Sequence, residues 1–160
     1  GIIGMGTIGK KVAHIAEAFG MTVCYYSTSG TAHCKDYPCL PLDELLAQSD
    51  IVSIHAPLNE KTKNLIGAAQ LAMMKPTAYL VNMGRGAIVV EADLANAVDE
   101  GVIAGAGLDV FVTEPIPEDH PYLKMRHPER MTLAPHVAWA SMEARKRLIS
   151  MMADNIAMGW

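Results

Sequence analysis

Short apolar runs alternate with helix-period segments along the chain, and the runs lack the polar residue at every second position that marks a sheet with one wet face. They predict parallel strands covered on both faces, and their alternation with helices predicts a βαβ array. Ile2 and Ile3 read as the end of a first strand, residues 8–19 as a helix and residues 22–26 as a second strand. Asp43 stands where it would cap the short helix ELLAQ, and residues 51–55 form a third strand. A helix over residues 68–74 stops at Lys75-Pro76, because the residue before a proline is pushed out of the α region. Residues 78–82 make a fourth strand, and residues 91–100 a helix closed by Gly101. Residues 105–109 and 131–134 complete the sheet. Between them Pro115, Pro117, Pro121 and Pro128 predict a long loop. A last helix runs from about Ser141 to the chain end. No internal repeat or low-complexity tract divides the chain, so one three-layer α/β/α domain is expected.

Composition narrows the partners. The 160 residues suffice for a substantial core without disulfides or metals. With 13 Lys+Arg against 17 Asp+Glu, the formal charge of -4 offers no long-range attraction to phosphate backbones or anionic lipid, so nucleic acid and membrane partners are not expected. Cys24, Cys34 and Cys39 are odd in number and lack CxxC spacing, which predicts reduced thiols in a cytoplasmic protein rather than a disulfide framework or zinc site. There is neither a cleavable leader pattern nor an apolar run of membrane-spanning length. The chain opens without Met inside a strand pattern and stops at Trp160 inside a helical one, as expected of a piece of a longer protein. His14, His120 and His127 lack metal-ligand spacing and receive no role; no metal is expected.

The first candidate chemistry is the glycine turn in GIIGMGTIGKK, directly after a strand and opening a helix. Gly4 permits the tight turn, Gly6 lets the backbone approach a pyrophosphate, and Gly9 lets helix and strand pack. Thr7 and Ile8 supply amides at the helix N-terminus, where the dipole attracts phosphate. In this strand–turn–helix setting the pattern predicts a Rossmann-type doubly wound parallel sheet that binds a dinucleotide. At the end of the second strand, where an acidic residue usually holds an NAD ribose, VCYYSTSG places Ser27. Ser27, Thr28 and Ser29 suit a 2'-phosphate, but only His33 and Lys35 follow to neutralise it. NAD is the first expectation and NADP the second.

Arg85, Glu114 and His136 follow apolar runs in AYLVNMGRG, GAGLDVFVTEP and MTLAPHVAWAS. Ligands of an open parallel sheet bind beyond the carboxyl ends of its strands, so three polar groups at three such ends can converge on one substrate. A guanidinium, a carboxylate and an imidazole there suggest reversible reduction of a keto acid by hydride transfer. The glycines flanking Arg85 are expected to let the backbone come close to the ligand.

Five blocks, GIIGMGTIG, SDIVSIHAPLNEKTKNLI, VNMGRGAIVVEADLANAVDEG, AGAGLDVFVTEP and APHVAWAS, carry a resemblance to the nucleotide-binding domain of the D-isomer-specific 2-hydroxyacid dehydrogenases, in that family's order and spacing. YYSTSG with PHVAWAS most resembles the glycerate dehydrogenase or hydroxypyruvate reductase-like members. The resemblance implies that Arg85 binds the substrate carboxylate and carbonyl oxygen, for which its planar fork of donors is suited. It implies that His136 is the general acid/base, since imidazole is the side chain best suited to exchanging a proton near neutral pH. Glu114 would then hydrogen-bond the other ring nitrogen and favour imidazolium. It further implies that Asp109 accepts a hydrogen bond from the nicotinamide carboxamide, with a capping role as the competing view, and that Met83 and Gly84 lie beside the nicotinamide ring. His55, Ala56 and Pro57 would cover the adenosine, with Thr62 nearby. Trp139 either shapes the substrate pocket or is a buried aromatic.

The implied whole is an NAD(P)-dependent oxidoreductase of a small 2-hydroxy or 2-keto acid, working as a homodimer, with a substrate domain outside these residues. A nucleotide-sensing scaffold of the same fold, such as the co-repressors that resemble this family, is the competing reading, and turnover separates the two. Another enzyme of this fold class, such as an alanine dehydrogenase, is not expected to present the GRG, TEP and PH blocks in this order.

Overall fold

Ile2 and Ile3 alternate across one sheet, so the two residues of β1 (Ile2–Ile3) found its two cores: Ile2 joins the cluster under the first helix, and Ile3 the larger cluster on the other face. The computed structural model describes residues 1–159, and the end of the expected last helix, Trp160, lies outside the described residues. Five further strands, β2 (Tyr25–Tyr26), β3 (Ile51–Ile54), β4 (Tyr79–Asn82), β5 (Gly105–Leu108) and β6 (Met131–Leu133), complete a six-stranded sheet ordered β2-β1-β3-β4-β5-β6. Every pairing is parallel. The strand order changes direction between β1 and β3, and this switch point is where open α/β sheets form their crevice.

The helices are α1 (Thr7–Ala18), α2 (Leu42–Gln48), α3 (Ala68–Leu71), α4 (Glu91–Asp99) and α5 (Met142–Ala157). The first buries Gly9 and Ala13 over Ile2, Val23 and Tyr25. Leu45 and Leu46 of α2, Leu71 of α3, and Leu94 and Val98 of α4 pack with Val52, Ile54, Leu80 and Leu108 of the strands. This is the Rossmann-type α/β architecture. Complete cover of both sheet faces is not found, however. Val52 and Leu80 are fully buried, but their neighbours Ile51 and Tyr79 are 41% and 51% exposed. The reason is the distribution of helices: α2, α3 and α4 share the core of Ile3, and among the described residues α1 is the helix that packs on the Ile2 face. An apolar run records a tolerance for burial on both sides, and helices must be available to supply it.

Other departures are local. Pro41, not Asp43, is the N-cap of α2; Asp43 lies inside the first turn with Glu44, where a carboxylate favours the helix through its dipole instead of a capping bond. The expected helix over residues 68–74 narrows to α3, after which the amides of Met73 and Met74 bond three residues back in a tightening turn ahead of Pro76. The second strand is confined to Tyr25 and Tyr26. The proline-rich segment contains two single 3-10 turns, Pro121–Leu123 and Pro128–Arg130, each opened by its proline. Ser141 caps α5 by accepting from the Ala144 amide at 3.2 Å, and no described residue of α5 is buried. No helix among the described residues is long and apolar enough to cross a membrane.

The switch point depends on Gly4. Its φ is +94°, and a Cβ there would sit 2.8 Å from backbone atoms of Ala56. Gly4→Ala is therefore expected to cost ~1–3 kcal/mol in a urea unfolding experiment. Gly107→Ala, whose Cβ meets nothing within 4 Å, should leave the midpoint nearly unchanged.

Candidate active site

Strands β4, β5 and β6 are neighbours, so the loops leaving their carboxyl ends emerge side by side with Arg85, Glu114 and His136. His136 Nδ1 and Glu114 Oε2 are 2.7 Å apart, across 22 residues of sequence. The same carboxylate accepts the Phe111 amide through Oε1 at 2.9 Å. The Phe111 amide and, next, the His136 ring hold the Glu114 carboxyl below its ordinary value of 4.5, and the Arg85 guanidinium adds a smaller attraction. Glu114 is thus an anion at neutral pH, Nδ1 of His136 carries the proton facing it, and Nε2 is the ring atom left for proton exchange.

His136 has a left-handed backbone, with φ +54°, which is uncommon outside glycine. Three contacts hold it there. Asp109, only 3% exposed, accepts the amides of Val137 and Ala138 at 2.8 and 2.9 Å through its two carboxylate oxygens. The Trp139 indole donates to the His136 carbonyl at 2.8 Å, and the His136 amide to the Ala134 carbonyl at 3.0 Å. Both carboxylate oxygens of Asp109 thus take loop amides, and each keeps a further lone pair. Trp139 is 56% exposed, so it is not a buried aromatic.

Arg85 is exposed in an extended backbone conformation, and its Nη1 donates to the Gly84 carbonyl at 2.8 Å. The neighbouring glycines each have close protein neighbours. A Cβ on Gly86 would overlap the backbone of Phe111 and Val112, and one on Gly84 would lie 2.9 Å from the Ala56 carbonyl oxygen. The turn is also bracketed by Asn82, 1% exposed, whose amide donates to the Arg85 carbonyl and accepts from the Gly84 amide, both at 3.0 Å. Asn82 went unnoticed in the sequence, although a polar residue at the same parity as buried Leu80 signals a side chain committed to hydrogen bonds.

At the switch point, Gly6 is the N-cap of α1 and a Cβ there would meet nothing within 4 Å, whereas one on Gly9 would strike the Gly4 carbonyl. Thr7 and Ile8 lie in a first turn with no side-chain cap, so the amide end of the helix is open for an anion. These features fit a pyrophosphate. His55 and Ala56 leave β3 beside Gly4; burial lowers the His55 pKa, its Nε2 lies 2.9 Å from Ser53 Oγ, and its buried Nδ1 has no partner. Pro57 is exposed and Met83 is 41% exposed. Thr62 is fully buried: its hydroxyl donates to the Pro57 carbonyl at 2.7 Å and accepts the Asn59 amide at 2.8 Å, closing that loop on itself. Ser27 follows β2, and its hydroxyl bonds Ser29 and the Thr31 carbonyl within their own turn.

A parallel sheet with a glycine turn at its switch point defines a dinucleotide-fold protein of the doubly wound α/β class. The family model described as D-isomer specific 2-hydroxyacid dehydrogenase, NAD binding domain, matches residues 1–138, and the chain belongs to that family. It is 48% identical over 159 residues to a glyoxylate reductase of Korarchaeum cryptofilum, covering 98% of this chain and 47% of that protein. Its fold is similar to the NAD-complexed D-isomer specific 2-hydroxyacid dehydrogenase of Lactobacillus delbrueckii ssp. bulgaricus, with TM-score 0.85, 35% identity, and coverage of 99% of this chain and 52% of that one. The NADPH-dependent glyoxylate/hydroxypyruvate reductase of Sinorhizobium meliloti, solved with NADP and malonate, is similar at TM-score 0.86 and 34% identity, covering 98% and 48%. The chain spans about half the length of the curated relatives it matches.

Asp109→Asn replaces one acceptor by a donor opposite a backbone N–H, so one of the two amides at residues 137 and 138 loses its partner. The expected cost is ~1–3 kcal/mol in thermal unfolding, with faster hydrogen exchange at Val137 and Ala138. Unchanged exchange at both amides would contradict the role given to Asp109.

Proposed function

We propose that the chain is the dinucleotide-binding part of an oxidoreductase that interconverts a small D-2-hydroxy acid and its 2-keto acid, with glyoxylate and hydroxypyruvate the favoured substrates. The observation that carries the reading is the 2.7 Å pair of His136 and Glu114, set at strand ends beside the loop of Arg85. When bound, the nicotinamide supplies the hydride. Arg85 binds the substrate carboxylate and carbonyl oxygen, drawing electron density from the carbonyl carbon. His136 gives the Nε2 proton to the carbonyl oxygen in reduction and takes it back in oxidation, while anionic Glu114 stabilises the imidazolium. Two of the similar proteins are by name reductases of glyoxylate or of glyoxylate and hydroxypyruvate, which favours that substrate class.

In this reading Gly4, Gly6, Thr7, Ile8 and Gly9 receive the pyrophosphate, Ser27 meets the adenosine ribose, His55, Ala56 and Pro57 line the adenosine side, and Met83 and Gly84 border the nicotinamide. Asp109 accepts from the nicotinamide carboxamide while holding the loop after His136, and Thr62 lies near the adenosine, where it closes the loop after Pro57. The cofactor is NAD or NADP; similar proteins have been solved with each. Ser27 presents no carboxylate to repel a 2'-phosphate, so discrimination is weak. The substrate-selecting walls lie in a second domain outside these residues, and the working protein is a cytoplasmic homodimer.

The test is a spectrophotometric assay of the full-length protein with hydroxypyruvate, glyoxylate and pyruvate, each with NADH and NADPH. Oxidation of cofactor by one of these acids, reduced about 100-fold or more in His136→Ala, is the expected result. Cofactor binding without turnover of any acid favours a nucleotide-sensing scaffold. Ser27→Asp should shift the preference toward NADH by about ten-fold or more, a change of ~1.4 kcal/mol. An unchanged NADH to NADPH ratio would remove Ser27 from the ribose site.

A further inference from the structure

Behind the loop that carries Glu114 lies a second His–carboxylate pair, used by no step above. His120 is 4% exposed and its Nε2 lies 3.1 Å from Glu91 Oε2, whose side chain is 15% exposed. The Tyr122 amide points at His120 Nδ1 at 3.3 Å. A backbone N–H can only donate, so Nδ1 is the acceptor and Nε2 carries the proton given to Glu91. The other oxygen of Glu91 accepts the Val112 amide at 2.9 Å. The residue before it, Phe111, gives its amide to Glu114 and sets its ring edge-on to His120 and Tyr122, at centroid distances of 6.2 and 6.3 Å. Successive amides of one loop thus end on two carboxylates, one mostly buried in the domain and one in the candidate active site.

We propose that Glu91 and His120 are positioning residues for the Glu114–His136 pair: His120 fixes the Glu91 carboxylate, Glu91 fixes the Val112 amide, and the anchored loop presents the Phe111 amide and Glu114 to His136. The geometry supplies the reason for each part. Glu91 is the first residue of α4, so its backbone is fixed by the helix, and a carboxylate in a first turn suits the dipole. Gly86 lets the Arg85 loop press against the backbone of Phe111 and Val112 from the other side. The loop is therefore clamped between the turn of Arg85 and the pair of Glu91 and His120. A displacement of about 1 Å at Glu114 is enough to cost an aligned proton transfer about 100-fold.

In Glu91→Gln the side-chain amide cannot accept from both Val112 and His120, so one bond is lost while the shape is retained. The expected result in the full-length protein is a fall in kcat of about ten-fold or more, with cofactor dissociation changed less than about two-fold. In a Glu114→Gln background the same substitution should add less than about two-fold, because the group it positions is already gone. Equal falls in both backgrounds would make Glu91 a general structural residue and overturn the proposal. The kinetic arm rests on the dehydrogenase reading. Hydrogen exchange does not: Glu91→Gln should expose the Val112 and Phe111 amides and leave the amide of Leu94 protected. Retained protection at both loop amides would overturn the proposal even if the protein turns over no acid. If Glu91→Gln does not fold, His120→Leu with the same exchange readout decides, and His120→Gln, which restores a donor toward Glu91, should recover the protection.

Discussion

The hydrogen bond between His136 and Glu114 is the interaction that most of the surrounding structure serves. Its partners leave different strands, and neither loop is regular, so nothing local holds them within 2.7 Å. What holds them is the parallel register of β5 and β6, which brings both carboxyl ends to one edge, and a set of buried polar groups that fix each loop. Asp109 pins the turn after His136 by two amides. Asn82 pins the neighbouring turn of Arg85. Each of these groups is almost fully buried, and each polar atom of its side chain has a hydrogen-bond partner, as a polar side chain in a core requires.

The candidate site divides into exposed groups that the proposed reaction would use and buried groups that hold them. In the proposed reading Arg85, Glu114 and His136 meet a ligand, which fits side chains that reach solvent and positions that depend on other residues. The Phe111 amide and the His136 imidazole lower the Glu114 carboxyl pKa below its ordinary value, so its charge holds to lower pH than it otherwise would. At the other end of the crevice the demands are different. The glycine turn at Gly4 brings β1 and β3 into backbone contact and leaves the amide end of α1 open. Packing and ligand approach are assigned there to different glycines: Gly4 and Gly9 to packing, Gly6 to open space.

The strands were legible because parallel strands are short apolar runs, and Val52, Ile54, Leu80 and Leu108 occupy the buried positions those runs imply. Arg85, Glu114 and His136 were legible as polar residues directly after such runs. What escaped was whatever depended on partners distant in the chain. Asn82, Glu91 and His120 look unremarkable in the sequence, and their importance comes from amides that only folding brings near. The glycines around Arg85 suggested approach to a ligand, and folding also gives each a protein neighbour that the sequence does not show: Ala56 for Gly84, and Phe111 and Val112 for Gly86. Asp43 fitted a capping pattern, but Pro41 begins the helix and takes that position. The open sheet face at Ile51 and Tyr79 was invisible for a related reason: apolar residues say that cover is tolerated, not that a helix is there.

The most direct test of the central claim follows a label rather than a rate. The full-length protein would be given hydroxypyruvate or glyoxylate with reduced cofactor deuterated at the transferring position of the nicotinamide, and the product examined by NMR. The account predicts deuterium bonded to C2 of the hydroxy acid, formed about 100-fold or more slowly when His136 is replaced by Ala. Hydroxy acid formed without deuterium at C2, or label transfer undiminished in the variant, would contradict hydride transfer governed by the His136–Glu114 pair.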